Sequence, residues 1–369
     1  MSETKTPARI KFGYVGCGFV AQTIHIPNFA SLPECEFAGL AEVRQELGRK
    51  VAERYRIPKV YRSHHELAED PEIQAVGVSA PWTIQSRIAE DLLRAGKSVF
   101  MEKPMAVSVS RAKAMNEAVA ASGGKARLMV GYMKRYDTGH VLFKQRFDAW
   151  RKSTELGRLL FVRNHGFCGH WTYAQDPSIP FEHSAEHGPS APDDCPRWLP
   201  EKWRTPYLHY LQQYTHNLNW LRFLLADEQG HVRTVVKSVE LDSDGLTGIV
   251  VLELNGVRAV VESGGTKFHA WDDHTQVYFE GGWLRTESPP LTQKTTSATV
   301  ELYRAAHDNV APTHTREIAA PGWHYREEAQ HFLQCLQTNA PFRSSSQDTV
   351  GDVELYEEIY SKFLGVPRS

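Results

Sequence analysis

Short apolar runs alternate with amphipathic stretches through the first third of the chain. Residues 10–15, 36–41, 75–79, 98–101 and 128–131 are predominantly apolar and predict strands. Over 20–30, 45–55, 84–95 and 110–121, apolar residues recur at three- and four-residue spacing, which predicts helices. Gly96 and the Gly123-Gly124 pair stop two of those helices. Strand–helix–strand units at this spacing predict a parallel, doubly wound sheet, because parallel neighbours need a crossover that packs on the sheet face.

The pattern changes after Val130. A helical segment over 136–152 leads to a strand over 159–165, then to a stretch over 168–206 rich in Pro, His, Asp and Trp. Stretches of that length without periodicity are usually functional or unstructured, and Trp171, Tyr173, Trp198, Trp203 and Tyr207 argue for ordered packing. A helix over 207–225 follows, with Leu208, Leu211, Leu218, Leu221 and Leu225 on one face. Period-two segments at 232–241, 248–254, 258–263, 275–279 and 283–286 then predict an open, mostly antiparallel sheet. Asn255-Gly256 marks a hairpin turn and Gly281-Gly282 a second turn. Helices near 323–337 and 349–363 close the chain. The expected fold is α/β, with a doubly wound domain over 1–133 and an α+β domain over 134–369 whose last helices pack back on the first.

Charge and composition narrow the partners. Forty-two basic against 44 acidic residues in 369 give a net charge of −2, which offers no electrostatic case for nucleic acid or an anionic membrane. A mean hydropathy of −0.44 and the lack of a long apolar run argue against a membrane span. The polar start, residues 1–9, reads as a short lead into the first strand and not as a signal peptide. Five cysteines without CxxC spacing suggest neither a disulfide framework nor a zinc site, so a reduced, cytoplasmic protein is expected.

Candidate chemistry begins at Gly16-Cys17-Gly18-Phe19-Val20-Ala21, directly after the first strand. Gly16 suits the tight turn, Gly18 a close approach to a pyrophosphate, and Ala21 the contact of helix with strand. The following helix, opening through Phe19 and Val20, points its amides at the phosphates. Glu42 ends the second strand, where an acidic residue binds ribose hydroxyls and disfavours a 2′-phosphate. The expected cofactor is therefore NAD. NADP stays open because Arg44 lies two residues further on, within reach of a 2′-phosphate.

Tyr14-Val15-Gly16-Cys17-Gly18, His25-x-Pro27, the Tyr61-Arg62-Ser63 to Glu66-Leu67 stretch, Glu102-Lys103-Pro104 and Arg135-Tyr136-Asp137 together resemble the Gfo/Idh/MocA oxidoreductases. The resemblance implies oxidation or reduction of a secondary alcohol on a sugar or cyclitol with NAD(P). It places Lys103 beside the nicotinamide, where an ammonium hydrogen-bonds the reacting oxygen and stabilises alkoxide character. It gives Glu102 a supporting role in the nicotinamide region and sets Pro81 and Trp82 beside the cofactor. It puts Arg135 and Tyr136 near nicotinamide or substrate, and His165, on a strand facing the cleft, in contact with substrate. The family's second catalytic group is a His or Tyr four residues after an Asp on the first long helix of the second domain. His216 holds that position here, Gln212 replaces the Asp, and Asn219 stands where a second acid is common. Four-residue spacing sets Gln212 and His216 on one helical face. Without the carboxylate, the imidazolium of His216 lacks an ion pair from that position. Gln212 and Asn219 are then expected to orient substrate.

Other groupings carry less. His165, His170, His183 and His187, and separately His269, Asp272, Asp273 and His274, fit no tight metal-ligand spacing, so no metal is expected. Trp171, Trp198 and Trp203 suit either sugar stacking or loop packing. Cys17 reads as a small buried residue. The expected activity is a dehydrogenase of a sugar, glycoside or cyclitol, with ring C3 one candidate position. Two alternatives are a glycosidase or lyase using NAD transiently and a non-catalytic dinucleotide sensor. The resemblance also implies a homodimer or homotetramer through the second sheet.

Overall fold

The computed structural model describes residues 8–169, 178, 180–186, 194–267, 271–306 and 310–368. His170, Trp171, Tyr173, His187 and His269 lie outside the described residues. The chain divides into two compact units, one of Met1–Gly131, Pro177–Pro196 and Tyr325–Val353, the other of Tyr132–Asp176, Arg197–His324 and Glu354–Ser369.

In the first unit, β1 (Ile10–Val15), β2 (Cys35–Ala41), β3 (Lys59–Tyr61), β4 (Ala75–Val78), β5 (Ser98–Glu102) and β6 (Leu128–Gly131) form one sheet. Its order is β3-β2-β1-β4-β5-β6, and the pairings are parallel. The crossovers are a π-helical turn (Ala21–His25) running into α1 (Ile26–Ser31), then α2 (Gln45–Tyr55), α3 (His64–Glu69), α4 (Trp82–Arg94) and α5 (Val109–Ala121). The strand order reverses between β1 and β4, and ligands of open α/β sheets bind at the strand ends beside such a switch point. The sheet core is Phe12, Tyr14, Phe100 and Met101 with Phe29 and Phe332, all buried. β3 and α3 are additions to the elements expected from sequence. α3 starts where Ser63 caps the backbone N–H of Glu66.

In the second unit, α6 (Thr138–Ser153) is capped by Asp137, whose carboxylate accepts from the His140 N–H. β7 (Leu159–Cys168) leads, after the long connection, to α7 (Arg204–Leu225) and then to β8 (Thr234–Leu241), β9 (Gly248–Leu254), β10 (Val257–Gly265), β11 (Trp271–Phe279), β12 (Gly282–Glu287), β13 (Val300–Arg304) and β14 (Thr313–Glu317). The sheet order is β14-β13-β12-β11-β7-β10-β9-β8, antiparallel except for the β7–β10 pair. The chain closes with α8 (His324–Thr338) and α9 (Ser346–Leu364), and the division between units falls within α9.

α7 packs on one face of this sheet. Asn164 Nδ2 and Trp220 Nε1 both donate to Thr275 Oγ1, at 2.8 and 3.2 Å, and Gly166 lies against Asn217. Strand alternation therefore sends Asn164 and Gly166 toward α7 and His165 to the opposite face. Two tryptophans of the long connection are used in packing. Trp198 Nε1 donates to Glu357 at 2.9 Å, and Trp203 meets Phe363 edge-on. Both lie against α9, which supports the loop-packing expectation over sugar stacking.

Candidate active site

The glycine loop follows β1 at the switch point. Gly16 has φ +96°, and a Cβ there would lie 2.2 Å from the Ser79 carbonyl oxygen after β4, so the fold itself requires glycine. Gly18 differs. Apart from its neighbours in the chain, no described residue comes within 4 Å of the position its Cβ would take. Internal packing gives no reason for glycine at 18, whereas close approach of a pyrophosphate does, so this loop fits a dinucleotide. Ala21 is fully buried and opens the π-helical turn.

Glu42, at the end of β2, is buried and heavily engaged. Its carboxylate accepts from the Cys17 N–H at 2.6 Å and from Arg44 through the backbone N–H (3.0 Å), Nε (2.8 Å) and Nη2 (2.9 Å). Burial works to raise its pKa, but the Arg44 and Cys17 contacts outweigh that and hold it below the ordinary value. Glu42 thus ties the glycine loop to the end of β2. The Cys17 thiol is buried beside this carboxylate and pushed well up, as expected of a packing residue.

Two features of this loop escape sequence reasoning. Gln22 Nε2 donates to the Cys17 and Glu182 carbonyls (2.8 and 3.0 Å), and Glu182 N–H donates back to Gln22 Oε1 (2.8 Å). Phe181 meets Phe19 edge-on, and Arg54 pairs with Glu182. The described part of the long connection around Phe181–Glu182 is therefore strapped to the glycine loop within the first unit. His183 sits on this strap, against Phe181.

Glu102-Lys103-Pro104 stands at the carboxyl end of β5, next to β4 in the sheet. His25 Nε2 donates to Glu102 Oε1 at 2.6 Å, while Glu102 Oε2 accepts the Lys103 backbone N–H at 3.0 Å. Gln85 of α4, which Pro81 precedes and Trp82 opens, donates to the Glu102 and Pro104 carbonyls at 3.0 and 2.7 Å. The backbone carrying Lys103 is thereby fixed from both sides. Glu328 of α8, wholly buried, joins His25 and Glu102 in one cluster. Burial, then the charge of Glu102, pushes the Glu328 carboxyl well above its ordinary value. Burial also works against ionised Glu102, but His25 and Lys103 outweigh it and keep that pKa low.

In the second unit, His216 is buried on α7, one turn beyond the exposed Gln212. Asn219 Oδ1 accepts from Arg135 Nε at 2.7 Å, and the Arg135 guanidinium lies 4.7 Å from the Phe223 ring centre. Arg135, Tyr136 and Asn219 are all nearly inaccessible, so the structure joins Arg135 and Asn219 to each other and uses them to fix the segment after β6 to α7. His165 does not join this group. It projects from the sheet face opposite α7, beside Glu262 and Asp272.

Comparison with known proteins follows the same lines. The model of an oxidoreductase family with an NAD-binding Rossmann fold matches residues 10–132. An inositol 2-dehydrogenase of Pseudomonas fluorescens is 26% identical over 297 residues, covering 79% of this chain and 78% of that protein. An inositol 2-dehydrogenase of Salmonella typhimurium is 30% identical over 159 residues, which are 42% of this chain and 45% of its own length. The stretch matched in the Salmonella relatives is thus less than half of those proteins. Among solved structures, a 3-ketoreductase from Actinomadura kijaniata superimposes with a TM-score of 0.69 at 18% identity, over 96% of this chain and 98% of that one. An oxidoreductase from Agrobacterium radiobacter, in complex with NAD+, L-tartaric acid and magnesium, gives 0.69 at 18% over 96% of each chain. These structures share the fold. Residues 10–132 thus match an oxidoreductase family with an NAD-binding Rossmann fold, and the inositol 2-dehydrogenase relatives agree with the resemblance to the Gfo/Idh/MocA oxidoreductases.

Proposed function

We propose that this chain is an NAD-dependent dehydrogenase acting on a ring secondary alcohol of a sugar, glycoside or cyclitol, with NADP accepted less well. The observation that carries the reading is the fixed backbone of Lys103 at the carboxyl end of β5, held by Glu102 and Gln85 beside the switch point. Gly16, Gly18, Phe19, Val20 and Ala21 would hold the pyrophosphate, with Glu42 and Arg44 at the adenosine ribose and Pro81 and Trp82 nearer the nicotinamide. When bound, the dinucleotide supplies the two-electron chemistry. Lys103 donates a hydrogen bond to the reacting oxygen and stabilises its negative charge as the C–H bond is broken. His216 accepts the hydroxyl proton and returns it in the reverse direction. Gln212 hydrogen-bonds a neighbouring hydroxyl. Asn219, Arg135 and Tyr136 hold α7 and the segment after β6 in place. The inositol dehydrogenase relatives and the 3-ketoreductase neighbour support a ring carbon as the reacting centre, with ring C3 one position to test.

A homodimer or homotetramer through the outer face of the second sheet belongs to this reading. That face carries partly exposed Phe161, Val251, Trp283 and Tyr303. The protein's own location is read as cytoplasmic. No helix among the described residues is long and apolar enough to cross a membrane.

The test is turnover with glucosides, inositols and their ketones, followed by absorbance of the reduced dinucleotide. Lys103→Ala is expected to lose about 100- to 10,000-fold in kcat while binding dinucleotide as before in calorimetry. Activity intact in that variant, or no turnover with any polyol or ketose by the unaltered protein, would sink the proposal.

A further inference from the structure

We infer that His165, Asp272 and His274 form a binding site for one divalent transition-metal ion of the zinc class, on the face of the second sheet opposite α7. β7 and β11 are antiparallel, and their register sets His165 directly against His274. The two rings lie parallel to within 24°, with centres 4.7 Å apart. Asp272, two residues before His274, points to the same face. Its carboxylate reaches both rings, with Oδ1 3.1 Å from His274 Nδ1 and Oδ2 3.3 Å from His165 Nε2. One donor atom from each of the three residues lies within 4.8 Å of the others. A tetrahedral ion with bonds of 2.0–2.1 Å sets its ligand atoms about 3.3 Å apart, and each histidine stands at about that distance from one of the two Asp272 oxygens.

The protonation pattern points to a cation between them. Glu262 on β10 flanks His165 from the other side, and its Oε2 lies 2.5 Å from His165 Nδ1. Arg163 grips Glu262 with two bonds of 3.0 and 2.8 Å, which keeps that carboxylate an acceptor. His165 Nδ1 is therefore the donor, and in the neutral ring Nε2 then carries a lone pair. That lone pair faces a carboxylate oxygen of Asp272, acceptor against acceptor. A positive charge between the two resolves the conflict, either a proton on Nε2 or a bound ion. A carboxylate behind the remote nitrogen of a ligating imidazole is the arrangement that orients histidine toward a metal. Two imidazoles and one carboxylate suit zinc, nickel or copper, whereas magnesium and calcium want oxygen donors. In the single chain the Asp272 side chain is 54% exposed, against 16% for His165 and 12% for His274, and three protein ligands leave a tetrahedral ion one open position. Arg285 on β12 is the cation next to His274 and is itself 3.8 Å from Glu287.

The experiment uses the full chain stripped with a chelator. Zinc titration in competition with a chromophoric chelator is expected to show one bound ion per chain, undisturbed by millimolar magnesium. Asp272→Ala and the double variant His165→Ala/His274→Ala should weaken that binding at least tenfold. Glu262→Gln, which leaves all three ligands in place, should weaken it about 10- to 100-fold. Cobalt(II) as a second probe should give the intense visible bands of tetrahedral coordination, lost in the double variant. Zinc affinity unchanged in the double variant would overturn the site. So would absence of stoichiometric zinc binding by the unaltered chain. Circular dichroism of each variant guards against loss of the fold, and Asp272→Asn serves if Asp272→Ala unfolds.

Discussion

Two of the clusters that combine histidine with carboxylates among the described residues differ mainly in their access to water. In the first unit, His25, Glu102 and Glu328 are sealed among Tyr14, Phe100 and Tyr325. In the second, His165, His274, Asp272 and Glu262 line the open face of a sheet. Burial presses on both carboxylates of the inner group: His25 and Lys103 still hold Glu102 below its ordinary value, whereas Glu328, without such partners, is pushed well above its own. In the outer group burial also works against Glu262, but Arg163 and His165 outweigh it and hold its carboxyl below the ordinary value, which leaves it an acceptor. Similar side chains thus serve as a rigid support under Lys103 in one unit and as a candidate ion site in the other.

The largest effect should come from breaking the inner pair. Glu102→Ala would leave His25 buried without its 2.6 Å partner. Removing one member of a buried pair costs about 3–5 kcal/mol. Denaturant unfolding should show that loss, while Glu102→Gln, which keeps a hydrogen-bonding oxygen, should cost about 1–2 kcal/mol. A loss below about 1 kcal/mol for Glu102→Ala would mean that the two side chains are not energetically coupled.

What the sequence reveals divides along similar lines. β1, β6, β9 and α2 fall where periodicity places them, because their apolar residues repeat within the element. β14, Thr-His-Thr-Arg-Glu, is a polar edge strand whose pairing with β13 leaves no alternation to read. β3, three residues long, is too short to show any. The glycine loop is legible because turn, strand and helix are adjacent in the chain. Glu328, Gln85 and the Gln22–Glu182 clasp depend on partners distant in sequence, and no local pattern announces them. The orientation of His165 turns on parity. A strand is evident over 159–165, but which alternate residues meet α7 follows from Asn164 and Gly166 packing against it. Arg135 and Asn219 have the chemistry of substrate ligands, yet burial makes them partners of each other.

A further histidine sharpens the comparison by having cations for neighbours. His331 on α8 accepts the Arg343 N–H at Nε2 (3.1 Å), which requires that nitrogen unprotonated. Burial, then the charges of Arg343 and Arg127, pushes its pKa down to about 4 from 6.5. The unfolded chain therefore binds the proton first on acidification. The stability His331 contributes is complete above pH 6.5, falls as pH drops toward 4, and levels off below it. The full shift converts to about 3 kcal/mol, and partial exposure reduces the expected loss to about 2 kcal/mol. Unfolding free energies measured across that window should fall by this amount, and the fall should shrink in His331→Gln. An identical pH profile in the variant would remove His331 as its source.

Glu328 gives the smallest and most diagnostic effect. Neither of its side-chain oxygens has a hydrogen-bond partner among the described residues. A neutral carboxyl buried without a partner forfeits its hydration and gains nothing in return. Methionine has similar length and no such demand, and Glu328→Met is expected to stabilise the protein by about 1 kcal/mol. It should leave kcat and dinucleotide affinity within about twofold, because His25 and the Lys103 N–H, not Glu328, hold Glu102. Destabilisation above about 1 kcal/mol would show that Glu328 takes part in the pairing. The inner cluster would then be a three-membered unit, and its likeness to the outer one would extend from composition to mechanism.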